Sequence, residues 1–156
     1  MKKILFTLLL LVSCQMAFCQ SASSVFNDFR DKKKVEFVTV PKLLLTVGAA
    51  KVKDSNVAAL MKEVDEVKVI TLNDCRKSIK KKFAKQITAL SGNGYSDYTG
   101  YKGGKVKDMT ILVKQSGQNI QEIVGLVRNS SKCMGILVSG NINSEDVAAI
   151  LGVVDE

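Results

Sequence analysis

The sequence predicts an α+β domain: an antiparallel or mixed sheet that ends in a meander of strands, with helices packed on one face. Three observations predict it. Helical spacing alternates with β-branched runs in the first half of the chain, whereas the last third reads as strand after strand. The links between those late strands are short and rich in Gly, Asn and Ser, which favours hairpins over crossovers. The composition, 46% hydrophobic and 24% charged over 156 residues, is that of a chain able to bury a core. One domain over residues 25–154 follows, preceded by a segment that does not belong to the fold.

That segment, residues 1–19, reads as an export signal. Lys2 and Lys3 form its positive start, and residues 4–12 are an apolar run shorter than the about 20 residues of a spanning helix. Two processing sites compete. Ala17 and Cys19 before Gln20 satisfy the small-residue rule of ordinary signal peptidase, and cleavage there is preferred. Residues 11–14 (LVSC) form a lipobox that would acylate Cys14. The first route gives a free periplasmic protein, the second a membrane-anchored lipoprotein. Neither leaves a transmembrane helix in the mature chain.

The elements follow in order. Residues 20–24 are a polar lead, and residues 25–30 place Phe26 and Phe29 on a helical turn. A charged turn at residues 31–34 leads to the strand VEFVTV at 35–40, ended by Pro41, the only proline. Leu43, Leu44, Leu45 and Val47 predict a short buried helix stopping near Gly48. Asp54 or Ser55 caps a second helix with Val57, Leu60, Met61 and Val64 on one face. Residues 67–72 (VKVITL) are a strand. Asn73 and Asp74 then cap the clearest helix, whose stripe is Cys75, Ile79, Phe83, Ile87 and Leu90, and residues 92–94 (GNG) stop it. Strands are expected at 95–101, 106–115, 120–128 and 133–139, with turns between. A last helix, capped by Asn143 or Ser144, turns Val147, Ile150 and Leu151 inward.

The chemistry is limited by residue type. The chain has no histidine, which removes His bases and His-ligated metals, and no cofactor motif stands out. After cleavage only Cys75 and Cys133 remain, without a CxxC, so neither a zinc site nor another metal centre is expected. They lie 58 positions apart; an oxidising compartment permits a disulfide between them, and two separately buried thiols are the alternative. Cys75 at a helix start among Arg76 and Lys77 suggests a thiol enzyme, but its place in the apolar stripe favours a packed thiol. Asp97 and Asp108 bracket a glycine-rich turn and give the carboxylate-hydrolase alternative.

Two surfaces are candidates for recognition. Lys77, Lys80, Lys81, Lys82 and Lys85 concentrate positive charge on the basic helix, either as an anion-binding surface or as a solvated face. Tyr95, Tyr98 and Tyr101 sit in GNGYSDYTGYKGGK, a flexible tyrosine loop suited to stacking on sugars or peptides, or else covering a sheet edge. The formal charge of +8 falls to +6 without Lys2 and Lys3. For an exported basic protein the expected partners are an envelope protein, an anionic lipid or a glycan rather than nucleic acid. The leading expectation is therefore a non-catalytic binding module. An enzyme and an assembly protein pairing through a sheet edge are the alternatives.

The opening FNDFRDKKKVEFVTVPKLL, the strand VKVITL, the Lys-rich helix and the closing ILVKQSGQNIQEIVGLVRNSSKCMGILVSGNI resemble domain of unknown function 4252. That family consists of small exported proteins of Bacteroidetes. The resemblance covers about residues 25–153, includes Ser-Gly-Asn-Ile at 139–142, and implies an envelope location. It supplies no catalytic residues.

Overall fold

A computed structural model describes residues 21–98 and 109–147. Its centre is a six-stranded, wholly antiparallel sheet. The elements in chain order are α1 (Ala22–Arg30), β1 (Glu36–Pro41), α2 (Lys42–Ala49), α3 (Ser55–Glu63), β2 (Val64–Thr71), α4 (Lys77–Thr88), β3 (Ser96–Asp97), β4 (Met109–Ser116), β5 (Asn119–Arg128) and β6 (Cys133–Asn143). A further helical turn opens at residue 144, where Asn143 Oδ1 accepts from the Glu145 N–H at 3.0 Å. The strands lie in the order β1-β2-β6-β5-β4-β3. The last strand is therefore central, flanked by β2 and β5.

The α+β class and the C-terminal meander are as expected; helices on one face only are not. Each strand presents alternate residues to opposite faces. On one face Ile70, Leu112, Val124, Leu126 and Leu137 pack beneath α1 and α4. On the other Val67, Val113, Ile123 and Val138 pack with Leu45 of α2, Leu60 and Met61 of α3, and Val147. The reason is in the strands themselves: ILV occurs in both β4 and β6, and an apolar run at both parities needs cover on both sides.

The first face holds the aromatic core. Ser21 caps α1 in a reciprocal box, its side chain accepting from the Ser24 N–H and the Ser24 hydroxyl accepting from the Ser21 N–H, both at 3.2 Å. The helix thus begins earlier than the aromatic spacing indicated, and buries Ala22, Val25, Phe26 and Phe29 on one stripe. Phe83 of α4 meets Phe26 and Phe29 edge-on, at ring separations of 5.8 and 5.2 Å. These rings press on Gly135 of β6, where an added Cβ would lie 2.7 Å from Phe83 Cζ and 3.0 Å from Phe26 Cζ. Gly140 serves a similar purpose at the other end of β6, where the strand passes against the backbone of Glu63 and Val64.

Three local expectations change. Arg76, not Asn73 or Asp74, is the N-cap of α4, and it makes no side-chain cap. Asn73 instead accepts from the Cys133 N–H at 2.8 Å, tying the approach to α4 to β6. Val64 begins β2 rather than ending α3. Finally, α2 is not a buried helix. Only Leu45 and Ala49 turn inward, and Leu43, Leu44 and Val47 are exposed, because an eight-residue helix lying on a sheet can bury only one stripe.

Candidate functional site

Strand register builds the site. On the α2–α3 side of the sheet, paired residues form rows running across the strands. One row, Val113–Ile123–Val138–Val67–Val40, is packed with the α2–α3 layer. The next, Ile111–Gly125–Ile136–Val69–Val38, is more open: Ile136 is 37% and Val38 57% exposed. Gly125 leaves a dent in that row between Ile111 and Ile136. The result is an open groove of about 210 Å³ bounded by Leu60, Tyr98, Met109, Ile111, Ile123, Ile136 and Val147. Among the described residues that line it, Tyr98 contributes the only hydroxyl side chain.

The opposite face shows what such a dent accepts. There the row Thr110–Leu126–Gly135–Ile70–Phe37 has its own central glycine, and the Phe83 and Phe26 rings fill the space above it. At Gly125, among the described residues, an added Cβ would meet only Ile136 Cβ, at 4.0 Å. The two faces thus carry the same device, filled by aromatic rings on one and open among the described residues on the other.

The three tyrosines separate. Tyr95 is buried rather than displayed: its hydroxyl donates to Glu122 Oε2 and accepts from the Ala22 N–H at 3.1 Å, joining α1 to β5. Lys114 Nζ stands 5.8 Å from the centre of its ring. Burial first, and the Glu122 hydrogen bond second, push the Tyr95 pKa up to about 12. Tyr98 lines the groove and its N–H donates to the Ile111 carbonyl at 2.9 Å. Tyr101 lies outside the described residues.

The basic helix also divides. Lys77, Lys81, Lys82 and Lys85 are exposed, whereas Lys80 is half-buried beside the core. Sequence reasoning missed Arg128: the end of β5 brings it to a shallow recess with Lys81, Lys85 and Thr88. No local pattern links residues 81 and 128, so only the sheet order reveals this pairing.

Cys75 and Cys133 are free, buried thiols, so the disulfide weighed from the sequence is not formed in this structure. The Cys75 thiol approaches the Lys33 and Lys34 carbonyls at 3.6 and 3.5 Å, while the Cys133 thiol points toward the Lys80 carbonyl at 4.0 Å. Loss of hydration raises both pKa values, and Lys80 only partly opposes the rise at Cys75. Asp97 is exposed, 3.4 Å from the Ser91 hydroxyl. Asp108 and Cys14 lie outside the described residues. Among the described residues, no helix is long and apolar enough to cross a membrane.

Fold and groove together define a small α+β domain built on an antiparallel sheet, with helices on both faces and, among the described residues, part of one face open. No curated protein and no solved structure matches the chain. It matches the family described as Domain of unknown function (DUF4252) over residues 29–150, and it belongs to that family.

Proposed function

We propose that the protein is an exported, non-catalytic interaction module of the cell envelope that seats an apolar side chain of a partner in the dent over Gly125. The observation carrying this reading is the matched pair of glycine dents. On one face the dent takes phenylalanine rings; on the other an equivalent space within an apolar row is open among the described residues. At about 210 Å³ the groove is smaller than the ~300–1,000 Å³ of sites that enclose whole small molecules. It suits one anchoring side chain of the kind that dominates protein interfaces.

The rival readings have less support. Burial pushes the Cys75 thiol away from the reactive thiolate. Edge pairing through β1 is opposed by Lys32, Lys33 and Lys34 before the strand and by Pro41 at its end.

The test is a titration of the protein, methyl-labelled at isoleucine, with 1-hexanol and with a short phenylalanine-containing peptide. Saturable shifts at Ile111, Ile123 and Ile136, with Ile70 and Ile87 still, are expected. Gly125→Leu should fill the dent and abolish them. Uniform or non-saturating shifts would remove the groove as a site.

A further inference from the structure

Among the described residues, α2 packs by one face against α3, β1 and β2 and leaves a second apolar face uncovered. Leu45 and Ala49 pack inward, while Leu43, Leu44 and Val47 are 74%, 59% and 53% exposed on the opposite side. Scattered exposed leucines are ordinary on a protein surface, but three on one side of one short helix form a patch. Its surroundings are cationic. Lys51 and Lys53 follow the helix, both exposed, and no acidic residue occurs between Glu36 and Asp54. Lys42, at the start of the helix, is paired with Asp65 at 2.8 Å.

We infer that this side of α2 docks onto an anionic lipid surface, with Leu43, Leu44 and Val47 entering the headgroup boundary and Lys51 and Lys53 meeting lipid phosphates. The charge pattern selects this occupant. Apolar side chains beside exposed lysines match the boundary between acyl chains and anionic headgroups, where long basic side chains bury their stems and keep their charge in water. The area argues against a second copy. An eight-residue helix is about 12 Å long, and its three side chains supply far less than the ~800 Å² per partner of a standard interface. A copy packed on the same patch would also set Lys51 and Lys53 against their own kind. The inference stands on α2 and not on the groove, so the two are tested separately.

The experiment is co-sedimentation of the chain from Gln20 onward with vesicles of phosphatidylethanolamine and phosphatidylglycerol, and with vesicles of phosphatidylcholine alone. Binding to the anionic vesicles only, weakening with salt, is expected. The combined Leu43→Ser, Leu44→Ser and Val47→Ser variant should lose at least tenfold in apparent partitioning at an unchanged melting temperature. If that variant melts early, Lys51→Glu with Lys53→Glu decides, again with a tenfold loss expected. Absent vesicle binding, or binding that the deciding variant leaves intact, overturns the inference. So does concentration-dependent self-association that the serine variant abolishes, which would give the patch to a second copy. Gly125→Leu should bind vesicles as the wild type does; its loss of binding would move the lipid contact to the groove and equally overturn the proposal.

Discussion

Replacing Gly135 with alanine adds one methyl group at a tight point of the aromatic core. That methyl would lie 2.7 Å from Phe83 Cζ and 3.0 Å from both Ile70 Cγ2 and Phe26 Cζ, well inside ordinary contact. Phe83 has little room to recoil, since Phe26 and Phe29 pack edge-on against its ring. Overpacking of this kind costs about 1–3 kcal/mol. Losing a glycine from the unfolded chain returns about 0.4–1 kcal/mol. The net expectation is a loss of roughly 1–2 kcal/mol. Urea unfolding should show a lower midpoint with an unchanged slope, and the melting temperature should fall by a few degrees. Two controls sharpen the test. Gly125→Ala, whose methyl meets only Ile136 among the described residues, at 4.0 Å, should stay within about 0.5 kcal/mol of wild type. Phe83→Leu should cost less in the Gly135→Ala background than alone, because the two changes relieve one another. A Gly135→Ala protein as stable as wild type would refute the close packing on which this argument rests.

Tyr95→Phe should destabilise by about 1–3 kcal/mol, since it removes the hydroxyl that the Ala22 N–H and Glu122 both use. Its pH dependence has a definite sign. The folded-state pKa, about 12, lies above the ordinary value of 10.0, so the contribution of the neutral hydroxyl is complete below pH 10 and is lost as pH rises toward 12. Alkaline unfolding curves of wild type and Tyr95→Phe should converge across that window; parallel curves would show that Tyr95 is not the titrating group. Both thiols should label slowly with a disulfide reagent near neutral pH in the reduced, folded protein, and rapidly once unfolded, because burial raises both pKa values. Fast labelling of native Cys75 would return the thiol-enzyme reading to consideration.

Local patterns made the elements legible but not their arrangement. The runs VEFVTV, VKVITL and IQEIVGLVR form strands because β-branched residues suit a pleated, half-buried backbone, and each lies within or overlaps an observed strand. The phenylalanines at 26, 29 and 83 were recognisable as core from their spacing. Which strands become neighbours depends on contacts far apart in sequence, such as Val69 with Ile136, and no window of residues contains them. The groove was half-legible. Apolar residues at both parities in β4 and β6 signal two buried faces, yet the opening depends on Gly125 falling between Ile111 and Ile136, which register alone decides. For α2, the run LLLTV reads as buried throughout. A helix of two turns against one sheet has an outer side whatever its composition, and Leu43, Leu44 and Val47 occupy it. For Tyr95 the glycine neighbours leave display and edge cover both open, and a partner 27 positions away, Glu122, decides by holding it inside.

The placement of β6 sets the order in which this protein can assemble. The last of the described strands, Cys133–Asn143, joins β2 on one side to β5 on the other. Until it arrives, the β1–β2 pair and the β3–β4–β5 group share no strand contact, and the space for the Phe26 and Phe83 rings has no floor. Such a chain depends on long-range pairing, which slows folding and makes it cooperative. A chain emerging from its N-terminus therefore cannot close this sheet until β6 is free. A chain cut short before Cys133 would not yield a smaller stable domain but two unfinished pieces of sheet, each with an open edge that invites aggregation.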